Sequence, residues 1–177
     1  MFERSCHSAS TINGSGLLSI PSVYKKRINY TTYDGNGNPT EYLIDDLRKN
    51  SYIWGYKKNL LIAEVQNAGA GQIAYTSFEE EGKGNWIYNE AAVSSPTSGA
   101  VTGKSVFNFS ATNSISKSGL SQEQYIVSYW GKKSCLVNGV GPTTTSVANS
   151  LGWMLYSHSV TPSSGVVTIS SSDAIID

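Results

Sequence analysis

Tyr125-Ile126-Val127-Ser128-Tyr129-Trp130 decides the fold. Side chains of a strand point alternately to its two faces, so Tyr125, Val127 and Tyr129 share one face and Ile126, Ser128 and Trp130 the other. Both faces carry an aromatic ring. Such a strand belongs in the middle of a sheet, with one side in a core and the other lining a concave or intersheet surface. The same alternation recurs on either side of it. Phe107 and Phe109 share a face with Asn108 between them, so both rings point inward. Trp153 and Leu155 oppose Met154, Tyr156 and His158. Together with runs at 73–79, 85–88, 133–138 and 165–171, these segments supply the strands of two packed antiparallel sheets. The fold class expected over residues 73–177 is an all-β antiparallel sandwich.

Composition agrees. The chain has 177 residues, 39% of them hydrophobic, which is enough to bury a core. Eleven Tyr, four Trp and 17 Gly suit half-exposed strands joined by tight turns. Charged residues make up 15% and the net charge is zero, so no basic field draws in nucleic acid or an anionic membrane. Lys25-Lys26-Arg27 is the one basic cluster and reads as a solvated loop. The longest apolar run, residues 60–63, is too short to span a bilayer, and residues 1–10 lack the hydrophobic stretch of a signal peptide. Cys6 and Cys135 lie too far apart for a redox pair or a zinc knuckle; a disulfide between them stays open.

The first part of the chain reads as strands at 17–24, 27–33, 41–44, 51–56 and 60–66, with residues 45–52 as the best short turn or helix. Asp34-Gly35-Asn36-Gly37-Asn38-Pro39 is dense in residues that tolerate positive φ, so 30–33 and 40–43 form a hairpin. Asn67-Ala68-Gly69-Ala70-Gly71 has small residues and no periodicity. Three parts follow: residues 1–67, a linker at 68–72, and the sandwich at 73–177.

Two resemblances attach to these parts. Tyr33-Asp34-Gly35-Asn36-Gly37-Asn38-Pro39, with Tyr42 and Ile53-Trp54-Gly55-Tyr56, resembles the YD repeat of Rhs-type proteins, especially the large surface or secreted Rhs-like proteins of Bacteroidetes, over residues 27–67. Such repeats stack into a β-shell, and one copy cannot bury its own apolar face. Phe78-Glu79, Trp86, Thr102-Gly103-Lys104, the 125–130 run, residues 152–158 and Ile175-Ile176-Asp177 resemble the jelly-roll domain attached to those proteins, and more distantly galactose-binding-like carbohydrate-binding modules. The resemblance makes Phe78-Glu79 the opening strand and Asp177 the start of a closing strand that the family carries further. It implies a fragment of a longer exported or cell-surface protein, with the remainder of that chain as a partner.

Candidate chemistry follows from both sources. The resemblance implies one structural calcium held by Glu79 and Asp177, which would pin the two ends of the domain together through hard oxygen ligands. Against it stands Glu79-Glu80-Glu81 as a solvated acidic turn. Sugar binding needs an aromatic platform flanked by polar side chains. Trp130, Tyr129, Tyr156 and Trp86 are the candidate platforms, with Asn108 and Asn138 as polar partners, and each ring is also a candidate for the core. His158 reads as a hydrogen-bonded structural histidine, because no carboxylate or nucleophile matches it. No G-x-S-x-G, H-E-x-x-H or phosphate loop is present, and no sandwich strand offers a glycosidase carboxylate pair. A noncatalytic glycan-binding or adhesion module is therefore expected, and a purely structural shell or capping domain is the alternative.

Overall fold

The computed structural model describes residues 27–97 and 99–177, together with Thr11–Ile12, residues 14–16 and Leu18–Ser19. Cys6, Lys25, Lys26 and most of the strand expected at 17–24 lie outside the described residues. The protein is all-β and its sheets are antiparallel. Strands β1 (Thr11–Ile12) and β2 (Leu18–Ser19) pair with each other. Strands β3 (Ile28–Tyr33), β4 (Pro39–Ile44), β5 (Arg48–Gly55) and β6 (Leu60–Gln66) follow as a meander in chain order.

The turn chemistry explains the meander. Asp34 Oδ1 accepts the N–H groups of Asn36 (2.9 Å) and Asn38 (3.0 Å), which closes the β3–β4 hairpin. Residues 45–52 do not form a helix. Asp45 and Asp46 both take positive φ, 51° and 56°, and make the tight hairpin turn whose twist suits two antiparallel strands. One face of the meander carries a ring ladder in which Tyr42 stacks on Tyr52 at 5.1 Å and Tyr52 meets Trp54 edge-on at 6.3 Å. The opposite face, with Ser51 and Ile53 buried, is covered by the following chain. Ser51 Oγ donates to the Ala68 carbonyl at 2.7 Å, and Ala70 N–H donates to Glu41 Oε2 at 3.1 Å. Tyr56 N–H donates to Glu80 Oε2 at 2.9 Å and ties the meander to the sandwich.

The sandwich is built from β7 (Val93–Ser94), β8 (Val106–Asn108), β9 (Ile115–Lys117), β10 (Tyr125–Gly131), β11 (Leu136–Val137), β12 (Thr144–Thr145), β13 (Met154–Val160), β14 (Val167–Ser170) and β15 (Ile175–Ile176). A six-stranded sheet, β12-β13-β10-β15-β8-β7, faces a three-stranded one, β11-β14-β9. Between them lie Phe107, Val127, Tyr129 and Ile176 from the first sheet and Ile115, Val137, Val167 and Ile169 from the second. Phe107 is fully buried, worth about 2–3 kcal/mol relative to exposure. Strand β10 is central, between β13 and β15.

Residues 73–79 form no strand. Phe78 takes a φ of 60°, and Tyr75 N–H donates to the Gly84 carbonyl at 2.8 Å, so the segment closes on itself and lays no ladder. Gly84 permits this: a Cβ there would lie 1.5 Å from the Tyr75 carbonyl oxygen. Phe78 still reaches the core, stacked on Phe107 at 5.8 Å. Residues 85–88 contribute one bridge, Ile87 to Ser116. Among the described residues no helix is long and apolar enough to cross a membrane.

Candidate functional site

The site grows from the face of β10 that points away from the core. Register places Leu155 opposite Trp130 and Ser157 opposite Ser128. On the other side, Asp177 N–H donates to the Trp130 carbonyl at 2.8 Å and Trp130 N–H to the Asp177 carbonyl at 3.1 Å. One row across the sheet is therefore Asp177, Trp130, Leu155. The next holds Ser128 and Ser157, whose hydroxyls lie 2.8 Å apart, followed by Thr144. Trp130 is half-buried. Segment 74–77 faces these rows, and a groove of about 260 Å³ lies between, lined by Tyr75, Ser77, Trp86, Thr102, Ser128, Trp130 and Asp177 among others. Tyr75 is exposed at the rim.

Two carboxylates fix the loop that closes one end of the groove. Asp177 Oδ2 accepts the N–H groups of Val101 (2.6 Å) and Thr102 (2.7 Å), and Oδ1 accepts the Thr102 hydroxyl (2.9 Å). Glu79 Oε1 accepts the N–H groups of Lys104, at 2.6 Å, and of Ser105. Burial alone would raise the Glu79 carboxyl, but these donors outweigh it and hold the group below its usual range. Between the two anchors Gly103 takes a φ of 67°, and a Cβ there would lie 2.6 Å from Glu79 Cδ. Only glycine lets the loop come this close.

The same geometry tests the calcium pair. Glu79 and Asp177 do meet on one loop, yet that loop turns N–H donors toward both carboxylates. A calcium shell needs six to eight oxygens at about 2.3–2.6 Å, and inward-pointing N–H groups oppose a cation. Among the described residues no cluster of three or more His, Cys, Asp or Glu side chains occurs that could add ligands. The donor set as arranged does not fit the ion, and the two carboxylates act as anchors of the loop.

The remaining nominated residues separate cleanly. Trp130 and Trp86 share the groove. Tyr129 and Tyr156 are core residues, 5% and 7% exposed and stacked on each other at 5.5 Å; Tyr129 reaches the groove only from beneath, and Tyr156 does not line it. Asn108 Nδ2 donates to the Ala92 carbonyl and to Ser94 Oγ, tying β7 to β8. Asn138 takes a φ of 48° and bridges to β14 through the Val166 carbonyl and the Thr168 N–H. His158 is buried, with Nε2 at 3.1 Å from the Tyr129 hydroxyl. Burial lowers its pKa, against a smaller upward pull from the Gly141 and Val140 backbone, so the ring is neutral at pH 7. Cys135 lies under the same network, its thiol pushed up to about 11 by burial.

Ser128 was readable as a groove residue, because it sits two positions before Trp130 and so on the same face. Tyr75, Ser77 and Thr102 gave no such signal. Their place depends on a loop closed by Gly84 and on an anchor at Asp177 that is distant in sequence. No family model matches the chain, and no curated protein or solved structure matches it either.

Proposed function

We propose that the sandwich is a noncatalytic carbohydrate-binding or adhesion module, at a cell surface or secreted, whose ligand lies in the groove around Trp130. One observation carries this reading: Trp130 stands half-exposed on the outer sheet face, beside hydroxyl groups of Ser128 and Ser157 and across from Tyr75 and Ser77. An indole face meets the C–H face of a pyranose, and neighbouring hydroxyls accept and donate to the ring's own. Among the described residues the groove lining holds no Lys or Arg and one carboxylate, Asp177, which already accepts three hydrogen bonds. That chemistry favours a neutral glycan over a sulfated or uronic one. A glycan array probed with the intact chain tests it. Binding to neutral glycans supports the reading, and silence across plant, algal and host glycans sinks it.

A structural role is the second reading, favoured by the meander. Its first strand leaves Ile28, Tyr30 and Tyr33 exposed at 51%, 46% and 58%, as a piece of a larger β-shell would. In that reading the remainder of an Rhs-like parent chain is the partner and no glycan binds.

A further inference from the structure

Strand β13 loses its outer neighbour part-way along. Strand β12 pairs with it only at Tyr156 and Ser157, and Thr143 N–H donates to the Ser157 carbonyl at 2.8 Å. Beyond that bond, among the described residues, no backbone hydrogen bond joins 137–142 to 158–163. The turn that follows β11 is tied to the other sheet instead. Asn138 N–H donates to the Thr168 carbonyl at 2.9 Å, and Thr168 N–H to Asn138 Oδ1 at 2.8 Å. An opening of about 310 Å³ lies in the unlaced seam, lined by Val137, Val140, Gly141, Val160 and Thr161 among others. His158 also lines it and, at 2% exposed, is its most deeply buried polar residue.

The bonds around His158 leave one ring nitrogen without a partner. Tyr129 Oη accepts the Cys135 N–H at 2.7 Å and lies 3.1 Å from His158 Nε2. The Cys135 carbonyl, at 3.4 Å, is the poorer acceptor for the hydroxyl proton, so that proton goes to Nε2 and the neutral ring carries its own on Nδ1. Nδ1 is buried and makes no hydrogen bond. It is turned to the side where the backbone of Gly141 and Val140 draws on the ring without bonding it. A buried donor left unmet costs about 1–3 kcal/mol. A second proton worsens this, because Nδ1–H still meets nothing and the ring is then a cation. No neighbour supplies a counter-charge. Tyr129 from β10 and Cys135 before β11 are both held neutral by burial, Tyr156 on β13 is a tyrosine stacked on Tyr129, and Val137, Asn138, Thr161 and Ser163 do not ionise.

We propose that this seam is a gate that acid opens: protonated His158 leaves Tyr129 for water in the cavity, and the turn at 137–141 lifts from β13, releasing the Asn138 bonds to β14. Nothing on the β13 side resists the movement, and on the other side β11 holds by two residues only. Opening uncovers Tyr129 and Cys135, which are 5% and 1% exposed while the gate is closed. The closed state favours the neutral ring, so opening becomes easier as pH falls below the ordinary value of 6.5 and gains nothing more below the lower closed-state value. Between the two, each pH unit raises the opening constant by up to about tenfold. The gate does not rest on glycan binding, because its cavity shares no residue with the groove around Trp130.

Amide exchange of the intact chain, followed by NMR between pH 7 and pH 5 and corrected for the intrinsic dependence on pH, tests it. The opening constants at Asn138 and Thr168 rise at least fivefold over that range. At pH 5 they exceed that of Phe109, whose N–H is bonded to the Ala174 carbonyl at 2.8 Å, by at least tenfold. Low urea leaves them unchanged while it raises that of Phe109, because a local opening exposes little new surface. His158→Gln removes the rise with acid. The wild type decides the matter even where the variant is unstable. Opening constants at Asn138 and Thr168 that do not change with pH overturn the gate, and so do constants that match Phe109 in size and in urea dependence, which would mean that only the whole fold opens.

Discussion

Asp177 and Trp130 exchange two backbone hydrogen bonds, at 2.8 and 3.1 Å, and so bring a loop-anchoring carboxylate and a half-exposed indole into one row of the sheet. Groove and loop both depend on this rung.

The anchor has a stability consequence. Asp177→Ala removes three hydrogen bonds to a carboxylate and leaves the N–H groups of Val101 and Thr102 without their partner. Bonds to charged groups are worth about 1.5–3 kcal/mol each when buried, and these are part-exposed, so a net loss of about 2 kcal/mol is expected. Urea unfolding measures it. Thr102→Val, which deletes only the hydroxyl bond, costs about 1 kcal/mol by the same measure.

Acid acts through two groups. The fold favours neutral His158, whose pKa is lowered, so its stabilising contribution is present above the ordinary value of 6.5 and is lost as pH falls below it. The fold favours ionised Glu79, so that contribution is present above the ordinary value of 4.5 and is lost as pH falls through the lower folded value. The melting temperature should decline in two stages on acidification. His158→Gln flattens the upper stage and Glu79→Gln the lower one. A profile unchanged by either variant contradicts the assignment.

Calcium offers a sharp check on the loop geometry. With N–H groups of Val101, Thr102, Lys104 and Ser105 aimed at the carboxylates, millimolar calcium added after chelation leaves the melting temperature unchanged. A saturable rise would show that the loop turns its carbonyls inward around an ion.

In the meander, the Tyr42 hydroxyl donates to Glu64 Oε1 at 2.7 Å from a ring only 8% exposed. Tyr42→Phe keeps the stack on Tyr52 and loses that bond, for a cost of about 1 kcal/mol in urea unfolding.

Alternation made the centre of the sandwich legible: β10, β13 and the inward Phe107 and Phe109 all follow from period two. The Asp34–Pro39 hairpin was equally legible, because its turn chemistry is local. Residues 73–79 were not, since strand-like composition yields there to a positive φ at Phe78 and a contact from Tyr75 to Gly84. Strands β9 and β12 were also hidden. They are three and two residues long, in Ser- and Thr-rich stretches, and exist through partners far along the chain. For the site, Val127 held the missing clue. A valine flanked by Tyr125 and Tyr129 marks the buried face, which puts Trp130 on the outward face and Tyr129 in the core.

Titration calorimetry of the intact chain and of Trp130→Ala, against a neutral glycan bound on the array, tests the central claim most directly. The account predicts at least a tenfold loss of affinity in the variant, at an unchanged melting temperature, because the ring lies outside the main core. Equal affinity in the two proteins, or no glycan bound by the wild type, would contradict it.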